Sequence, residues 1–220
     1  MDADLAARID TYIASLFGAD DEALTRGLAN AAAAGLPPIH ISSNQGRLLY
    51  LIAKIRGVRR VLEVGTLGGY STTWLARALP EAGQLITLEI NPAHAAVART
   101  NVDRAGIGSR VRIEVGPAAD TLGRMMTERA EPFDLVFIDA DKPGYATYLD
   151  LCIELSHPGT VIIADNLIRG GLVMDAEAQD INARAARAFN ETLAAHPRLE
   201  STIVPLMRAH VDGMSISIVK

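Results

Sequence analysis

The sequence predicts an α/β fold in which helices cover both faces of a mostly parallel β-sheet. From about residue 60 onward, short apolar runs alternate with helical segments, as in strands joined by crossover helices. Two more strands near the C-terminal end, joined by a short link, predict an antiparallel strand at the end of the sheet. Seven strands are predicted in all, and the pattern before residue 57 is helical.

Residues 1–56 predict a helical extension that packs on the core. Apolar side chains between Leu5 and Leu16 recur every three or four residues, as on one face of an amphipathic helix. An Ala-rich second helix is predicted over residues 20–34. A third helix begins at Ser42, where Gln45 completes a capping-box pattern.

Residues 57–220 predict one domain of alternating strands and helices. The predicted strands are residues 61–64, 84–90, 111–115, 133–138, 160–164, 200–206 and 213–219. The predicted helices are residues 70–79, 92–105, 117–129, 144–155 and 180–195. The link between the last two strands contains Asp212 and Gly213, a pair that favours a hairpin turn.

Composition narrows the classes of function. The 220 residues are 49% hydrophobic and 21% charged, which is an ordinary balance for a globular protein. The net charge is -5, so no basic surface for nucleic acid is expected. The single Cys152 excludes an internal disulfide and is expected in the core, in a reducing compartment. The acidic N-terminus does not resemble a signal peptide, and no apolar run reaches the roughly 18 residues of a membrane span. We therefore expect a cytoplasmic protein without nucleic-acid or membrane partners.

Two acidic strand ends are the most informative feature of the chain. Asp139 follows the strand in FIDADK (residues 137–142), and Asp165 with Asn166 follows the next strand. Neighbouring strands lie about 4.8 Å apart, so these oxygen atoms are expected close together. Like charges this close raise each other's proton affinity unless a cation lies between them, and oxygen ligands favour Mg²⁺ or Ca²⁺ over zinc. Taken alone, the same acids also fit a solvated loop.

A glycine-rich turn, EVGTLGGYS over residues 63–71, follows the first strand. Its spacing differs from the G-x-G-x-x-G of dinucleotide-binding loops, and it lacks the G-K-[ST] ending of a P-loop, so ATP and GTP are not expected. Glycines in such a turn can let the backbone approach a ligand closely. They can equally serve only to form a tight turn. Glu63 beside the turn would repel a pyrophosphate but could pair with an amine of a ligand.

The ends of the second and third strands favour a ligand over a plain turn. Glu89 is placed to accept hydrogen bonds from both hydroxyls of a ribose, as the acid of the second strand does in nucleotide-binding α/β sheets. Residues 116–118 (GPA) offer a small surface for an adenine. Because ligands of open α/β sheets bind at the carboxyl ends of the strands, these signals and Asp139 together predict one binding cleft.

These stretches resemble a known family. The cation-dependent O-methyltransferases, which include the catechol and caffeoyl-coenzyme A enzymes, are similar over residues 63–71, 116–118, 137–142 and 164–166. The resemblance extends from about residue 42 to the predicted hairpin. It implies the Rossmann-like sheet of class I methyltransferases with a reversed last strand, S-adenosylmethionine (SAM) as the methyl donor, and a homodimer.

The resemblance also implies roles for individual residues. It implies that the methionine part of SAM contacts Glu63, Gly65, Tyr70 and Ser71. It also implies that the ribose contacts Glu89 and that the adenine contacts Ala118. The complete set of predicted cofactor-binding residues is Ile41, Glu63, Gly65, Tyr70, Ser71, Glu89, Ala118 and Asp139. The implied ligands of Mg²⁺, or of Ca²⁺ or Mn²⁺, are Asp139, Asp165 and Asn166. Lys142 matches the lysine proposed as general base in the catechol enzymes.

The implied substrate is a hydroxylated aromatic small molecule with a catechol-like vicinal diol. A bound cation lowers the pKa of one hydroxyl, and Lys142 takes the remaining proton. Residues 167–171 (LIRGG) lack the tryptophan common after the Asp-Asn pair in plant relatives, so coenzyme A thioesters are less expected. Arg169 and Arg208 are expected to be surface charges rather than contacts to an acidic substrate.

Three other interpretations remain open from the sequence. A nicotinamide-dependent oxidoreductase is disfavoured because the G-x-G-x-x-G spacing is missing. A non-catalytic cofactor-binding module would need neither Lys142 nor the metal ligands. A metal-independent methyltransferase acting on another nucleophile would keep its turnover in the presence of a chelator.

Overall fold

Helices and strands alternate along the chain as the sequence predicts. The structure is a computed structural model and describes residues 3–17, 20–207 and 211–220. The helices are α1 (Ala3–Phe17), α2 (Glu22–Ala33), α3 (Ser43–Arg56), α4 (Tyr70–Ala78), α5 (Pro92–Arg104), α6 (Ala118–Thr127), α7 (Tyr145–Glu154) and α8 (Ile181–Ala195). The strands are β1 (Arg60–Val64), β2 (Gln84–Glu89), β3 (Val111–Val115), β4 (Phe133–Ile138), β5 (Ser156–Ala164), β6 (Leu199–Met207) and β7 (Val211–Val219). Within the described ranges, no helix is both long and apolar enough to span a membrane.

The strands form one seven-stranded sheet in the order β3-β2-β1-β4-β5-β7-β6. β2 is parallel to β1 and β3, and β4 is parallel to β5, whereas β7 is antiparallel to both of its neighbours. This confirms the predicted mostly parallel sheet with a reversed last strand. One expectation was wrong: β7 does not end the sheet, because it lies between β5 and β6, and β6 is the outer strand.

Asp212 and Gly213 lie inside β7 and not in the hairpin link that the sequence predicts. Both residues pair with β6, and the link itself, residues 208–210 with Arg208, lies outside the described residues. The glycine serves close packing, because a Cβ at this position would lie 2.7 Å from Cδ1 of Ile168. The Asp212 carboxylate accepts hydrogen bonds from the backbone N–H groups of Ile168 and Gly213. It is therefore not available to stabilise a turn.

The chain divides into two compact units. The N-terminal unit is Ala14–Thr121, and the C-terminal unit is Leu122–Lys220 together with Met1–Ile13. The domain boundary expected between residues 56 and 57 stays a prediction.

The N-terminal unit contains the three parallel strands β1, β2 and β3. Val64 lies opposite Leu88, and Glu89 lies opposite Val115. β1 and β2 are buried along almost their whole length, as strands covered by helices on both faces are. Gly65 N donates to Leu88 O at 3.0 Å, so the turn after β1 leaves the sheet beside the end of β2.

The C-terminal unit contains β4 and β5, whose register decides where the predicted acids lie. Ile138 at the end of β4 lies opposite Ala164 at the end of β5. Asp139 and Asp165 are the next residues of the two strands, and Asp165 N donates to Ile138 O at 3.0 Å. The two acids therefore leave the sheet side by side, as predicted from the spacing of parallel strands.

The predicted helix starts are confirmed by their caps. Ser42 Oγ accepts a hydrogen bond from Gln45 N at 3.2 Å, and Gln45 Oε1 accepts one from Ser42 N at 3.1 Å, which completes the capping box of α3. Asn91 caps α5 directly before Pro92. Each such cap stabilises its helix by about 1 kcal/mol.

Within the N-terminal unit, α3 packs on α4 through Gly46 and Trp74. A Cβ at position 46 would lie 2.3 Å from Cδ1 of the indole ring. The guanidinium of Arg47 lies 5.6 Å from the centre of the ring, and the ring of Tyr50 meets it edge-on at 6.3 Å. Trp74 is buried, so these contacts leave its ring little room to move aside.

We expect Gly46→Ala to lower the free energy of unfolding by about 1–3 kcal/mol, because the added methyl group overpacks this contact. Urea unfolding followed by circular dichroism measures the change. Gly123→Ala in α6 is the matched control, since a Cβ there meets no atom within 4 Å. It should stabilise the protein by up to about 1 kcal/mol through helix propensity. A Gly46→Ala protein as stable as the control would contradict this account of the packing.

Candidate active site

The glycine-rich turn of the N-terminal unit has a backbone that few residues adopt. Gly65 has φ 99°, Leu67 has φ 50° and Gly69 has φ 79°, all in the left-handed region. A Cβ at Gly69 would also lie 3.3 Å from Cβ of Ala98. The turn therefore requires glycine both for its conformation and for close packing against α5.

Glu63 connects the end of β1 to the first turn of α4. Its fully buried carboxylate accepts hydrogen bonds from Ser71 Oγ at 2.6 Å and from Thr72 Oγ1. Two of the predicted cofactor-binding residues, Glu63 and Ser71, are thus in direct contact. Thr72 was not predicted, although a hydroxyl residue in the first turn of a helix beside a buried acid is a usable signal.

The carboxylate of Glu89 holds the glycine-rich turn. Oε2 accepts from Leu67 N at 2.8 Å and from Thr66 N at 3.3 Å, and Oε1 accepts from Asn91 N at 2.9 Å. An ionised carboxylate offers about four acceptor positions, so one remains for a ligand hydroxyl. The residue predicted to contact the ribose therefore also fixes the loop beside it.

The other predicted cofactor residues of this unit are Ile41, Tyr70 and Ala118. Ile41 is buried, and its neighbour His40 has its ring 5.1 Å from that of Tyr70. The Tyr70 hydroxyl donates to Asp20 Oδ1 at 2.6 Å. Ala118 begins α6, two residues after Gly116, whose N–H donates to the backbone oxygen of Glu89 at 2.9 Å.

Lys142 is buried beside the two acids of the C-terminal unit. Its side chain is 6% exposed, and Nζ donates to Asp139 Oδ1 at 3.5 Å, to Ala140 O at 3.2 Å and to the hydroxyl of Tyr145. Burial lowers the pKa of Lys142, and this effect outweighs the opposing attraction of Asp139 and Asp165. The positive charge of Arg169 also lowers this pKa.

Tyr145 is a central residue of this cluster that the sequence analysis missed. Its hydroxyl donates to Asp165 O at 3.1 Å and to Ile138 O at 3.2 Å, and its ring lies 4.2 Å from Lys142 Nζ. Burial, with Asp139 and Asp165 nearby, raises the pKa of Tyr145 well above its usual value, so the hydroxyl keeps its proton. The available signal was its position three residues after Lys142, where side chains of a helical turn meet.

Asn166 is oriented by a second residue that the sequence analysis missed, Asp212. Asn166 adopts φ 60°, a left-handed conformation that asparagine tolerates. Its Nδ2 donates to Asp212 Oδ2 at 3.4 Å. Because a carboxylate accepts only, the amide nitrogen faces Asp212 and Oδ1 points elsewhere. Asp212 is 3% exposed and also accepts from the N–H groups of Ile168, Arg169 and Gly213 at 2.8–3.0 Å.

The predicted residues thus form two groups. The cofactor residues from Ile41 to Ala118 lie in the N-terminal unit. Asp139, Lys142, Asp165 and Asn166 lie in the C-terminal unit, so the predicted cofactor role of Asp139 stays a prediction. Among residues 3–17, 20–207 and 211–220, no cluster of three or more His, Cys, Asp or Glu side chains is arranged to hold a metal. The predicted metal set contains only two such side chains, because its third member is an amide.

Comparison with known proteins identifies the family. The sequence model of the O-methyltransferase family matches residues 17–218. This chain belongs to the O-methyltransferase family. It is 47% identical over 213 residues to a protein of Niastella koreensis named catechol O-methyltransferase, and the match covers 96% of each protein.

Solved structures resemble this O-methyltransferase over its whole length. An O-methyltransferase from Bacillus cereus in complex with SAH has a TM-score of 0.96 and 41% identity, covering 99% of this chain and 100% of the other. TomG from Streptomyces achromogenes, an O-methyltransferase involved in tomaymycin synthesis, was solved in complex with SAM. Its TM-score is 0.94 and its identity 37%, covering 100% of this chain and 99% of the other. These similarities confirm the predicted family and fold class.

We expect Tyr145→Phe to lower the free energy of unfolding of this O-methyltransferase by about 2–3 kcal/mol. The change leaves the buried amine of Lys142 and two backbone oxygens without their shared partner. Tyr148→Phe is the matched control on the same helix, because it removes one hydrogen bond, to Asp141 Oδ1 at 2.7 Å, beside an exposed acid. The control should lose less than about 1 kcal/mol. Equal losses in urea unfolding would show that the Tyr145 hydroxyl has no special place in the cluster.

Proposed function

We propose that this O-methyltransferase transfers the methyl group of SAM to one hydroxyl of a catechol-like vicinal diol, with the help of a divalent cation. The observation that carries this proposal is the buried Lys142 beside Asp139 and Asp165, at the aligned ends of β4 and β5. A buried amine among carboxylates is suited to proton transfer, and a plain binding module would gain nothing from it.

SAM as the methyl donor is supported by the N-terminal unit. Glu89 retains acceptor capacity for a ribose hydroxyl, and the left-handed turn at Gly65 and Gly69 brings backbone close to any ligand beside it. Glu63 supplies a negative charge suited to the amino group of the methionine part. The solved complexes of two similar O-methyltransferases with SAH and SAM agree with this choice.

A divalent cation is supported by the chemistry of the donor set. Asp139 and Asp165 supply carboxylate oxygens, and the contact of Asn166 Nδ2 with Asp212 leaves Asn166 Oδ1 available as a third oxygen ligand. All-oxygen sites suit Mg²⁺, and also Ca²⁺ or Mn²⁺. When bound, such a cation lowers the pKa of a coordinated hydroxyl and fixes its orientation.

Lys142 is proposed to accept the proton of the acceptor hydroxyl at Nζ. An amine can act as a base only when neutral, and the lowered pKa of Lys142 raises its neutral fraction near neutral pH. Tyr145 and Ala140 O hold the amine in place. The acceptor oxygen then forms a bond to the methyl carbon while the carbon–sulfur bond breaks, and S-adenosylhomocysteine leaves.

The acceptor class follows from this site and from the named relative. A vicinal diol can present one oxygen for methylation and a second for binding. The name of the Niastella koreensis relative, catechol O-methyltransferase, is consistent with a hydroxylated aromatic acceptor.

We also propose that the protein is a homodimer; the cytoplasmic location expected from the sequence stays a prediction. The exposed face of α1 carries the large apolar side chains of Leu5, Tyr12, Leu16 and Phe17, which a second copy would cover. Size-exclusion chromatography with light scattering checks this proposal, and a monomeric mass at micromolar concentration would reject it.

The proposed function is tested by calorimetric titration of SAM, followed by methyl transfer to 3,4-dihydroxybenzoate, caffeate and catechol with Mg²⁺ or with EDTA. Binding of SAM with Mg²⁺-dependent product supports the full proposal. Product that is unchanged in EDTA would favour a metal-independent methyltransferase. No binding of SAM would reject the proposal.

We expect Asp165→Asn to abolish Mg²⁺-stimulated turnover while leaving SAM affinity within a few-fold, because it removes one charged ligand from the cation and none from the N-terminal unit. Titration with Mn²⁺ should show cation binding weakened by at least about tenfold. Asp141→Asn is the matched control, since Asp141 is exposed and bonds to Tyr148 and to Gly144 N. If both variants keep wild-type cation binding, the proposed metal site is wrong.

A further inference from the structure

Arg169 is held in a strained backbone conformation close to the proposed acceptor site. Its φ of 51° lies in the left-handed region, which costs a residue with a side chain about 1 kcal/mol or more. Its backbone N–H donates to Asp212 Oδ1 at 3.0 Å, and Asp212 Oδ2 accepts from the amide of Asn166. One buried carboxylate thus fixes both the proposed metal ligand and the start of the Arg169 side chain.

The guanidinium of Arg169 has a long ion pair with Asp180 and a buried Nε that lacks a hydrogen bond among the described residues. Its Nε is buried and has no hydrogen-bond acceptor among the residues that the structure describes. Asp180 Oδ1, which pairs with Nε, is 3.8 Å away, too far for a hydrogen bond, and already accepts from Ala183 N at 2.6 Å. The side chain is 26% exposed, so part of it can still meet a ligand.

The surroundings of Arg169 favour an anion as that ligand. Nε of Arg169 is a buried donor that has no acceptor among the described residues. A negative group that reached the guanidinium would supply the missing acceptor. A guanidinium binds a carboxylate through two parallel hydrogen bonds, which an ammonium cannot reproduce with the same geometry.

We propose that Arg169 binds a carboxylate group of the acceptor, so that the preferred substrates are catechols carrying a carboxylate on the ring or on a short side chain. This inference rests on the proposed function and names the substrate class of its acceptor site. It replaces the expectation that Arg169 is an ordinary surface charge.

The test compares 3,4-dihydroxybenzoate with its neutral isostere 3,4-dihydroxybenzamide, in the wild type and in Arg169→Gln. The wild type should have a kcat/KM for the carboxylate about 10- to 100-fold above that for the amide, and Arg169→Gln should remove most of this preference. The readout is the ratio of the two kcat/KM values, because any effect of the variant on the step common to both substrates cancels in that ratio. Arg169→Lys should restore only part of the preference, because it keeps the charge but not the planar donors.

Arg184→Gln is the matched control, because Arg184 is an exposed arginine on α8 of the same unit. It removes the same charge and should leave the ratio between the two substrates unchanged. Three results would overturn the inference: equal use of both substrates by the wild type, equal loss for both substrates in Arg169→Gln, or the same change of ratio in Arg184→Gln. The second result would assign Arg169 a structural role only.

Binding measurements separate this inference from the proposed function. The affinities of both compounds are measured by calorimetry for the wild type and for Arg169→Gln, in the presence of Mg²⁺ and S-adenosylhomocysteine. A carboxylate preference that Arg169→Gln removes supports the inference even if no methyl transfer is detected. Methylation of catechol without any carboxylate preference would keep the proposed function and reject the role of Arg169.

Discussion

The parallel register of β4 and β5 is the constraint on which the candidate site of the C-terminal unit depends. Because Ile138 lies opposite Ala164, the next residues of both strands emerge together, and each is an acid. A slip of one residue would move every side chain of β5 to the opposite face of the sheet. The register is held by fully buried apolar residues on both strands, so the core fixes the chemistry at the strand ends.

The cluster at these strand ends balances the cost of burying charge. A buried ammonium group is expensive, and its partners must supply both charge and hydrogen bonds. Asp139 and Asp165 supply the charge, while Tyr145 and Ala140 O supply acceptors for Nζ. Because burial still dominates, Lys142 gives up its proton more readily than a free lysine does. Burial and the same two acids raise the pKa of Tyr145, so Tyr145 keeps its proton while Lys142 can release one.

The sequence could predict the features that depend on local pattern or on strand ends. Alternating apolar runs, the capping box at Ser42 and the acids after two buried strands all have such signals, and the structure agrees with them. The position of β7 between β5 and β6 has no local signal, because it depends on which edge the last two strands join. Asp212 was missed for the same reason: it follows Asn166 by 46 residues, and only the pairing of β7 with β5 brings the two together.

The residues that motifs identify are supported by others that no motif contains. The carboxylate of Glu89, the proposed ribose contact, is held by the N–H groups of Leu67 and Asn91. Oδ1 of Asn166, the proposed metal ligand, faces away from Asp212 because Asp212 accepts from the amide nitrogen. In both cases the partner is a backbone N–H group or a distant carboxylate, whose identity follows from the fold and not from neighbouring sequence. The same logic applies to Arg169, since Asp212 fixes its backbone and its Nε has no hydrogen-bond acceptor within the described part of the chain. The proposed preference for a charged acceptor therefore rests on a side chain that the fold positions but leaves unsatisfied.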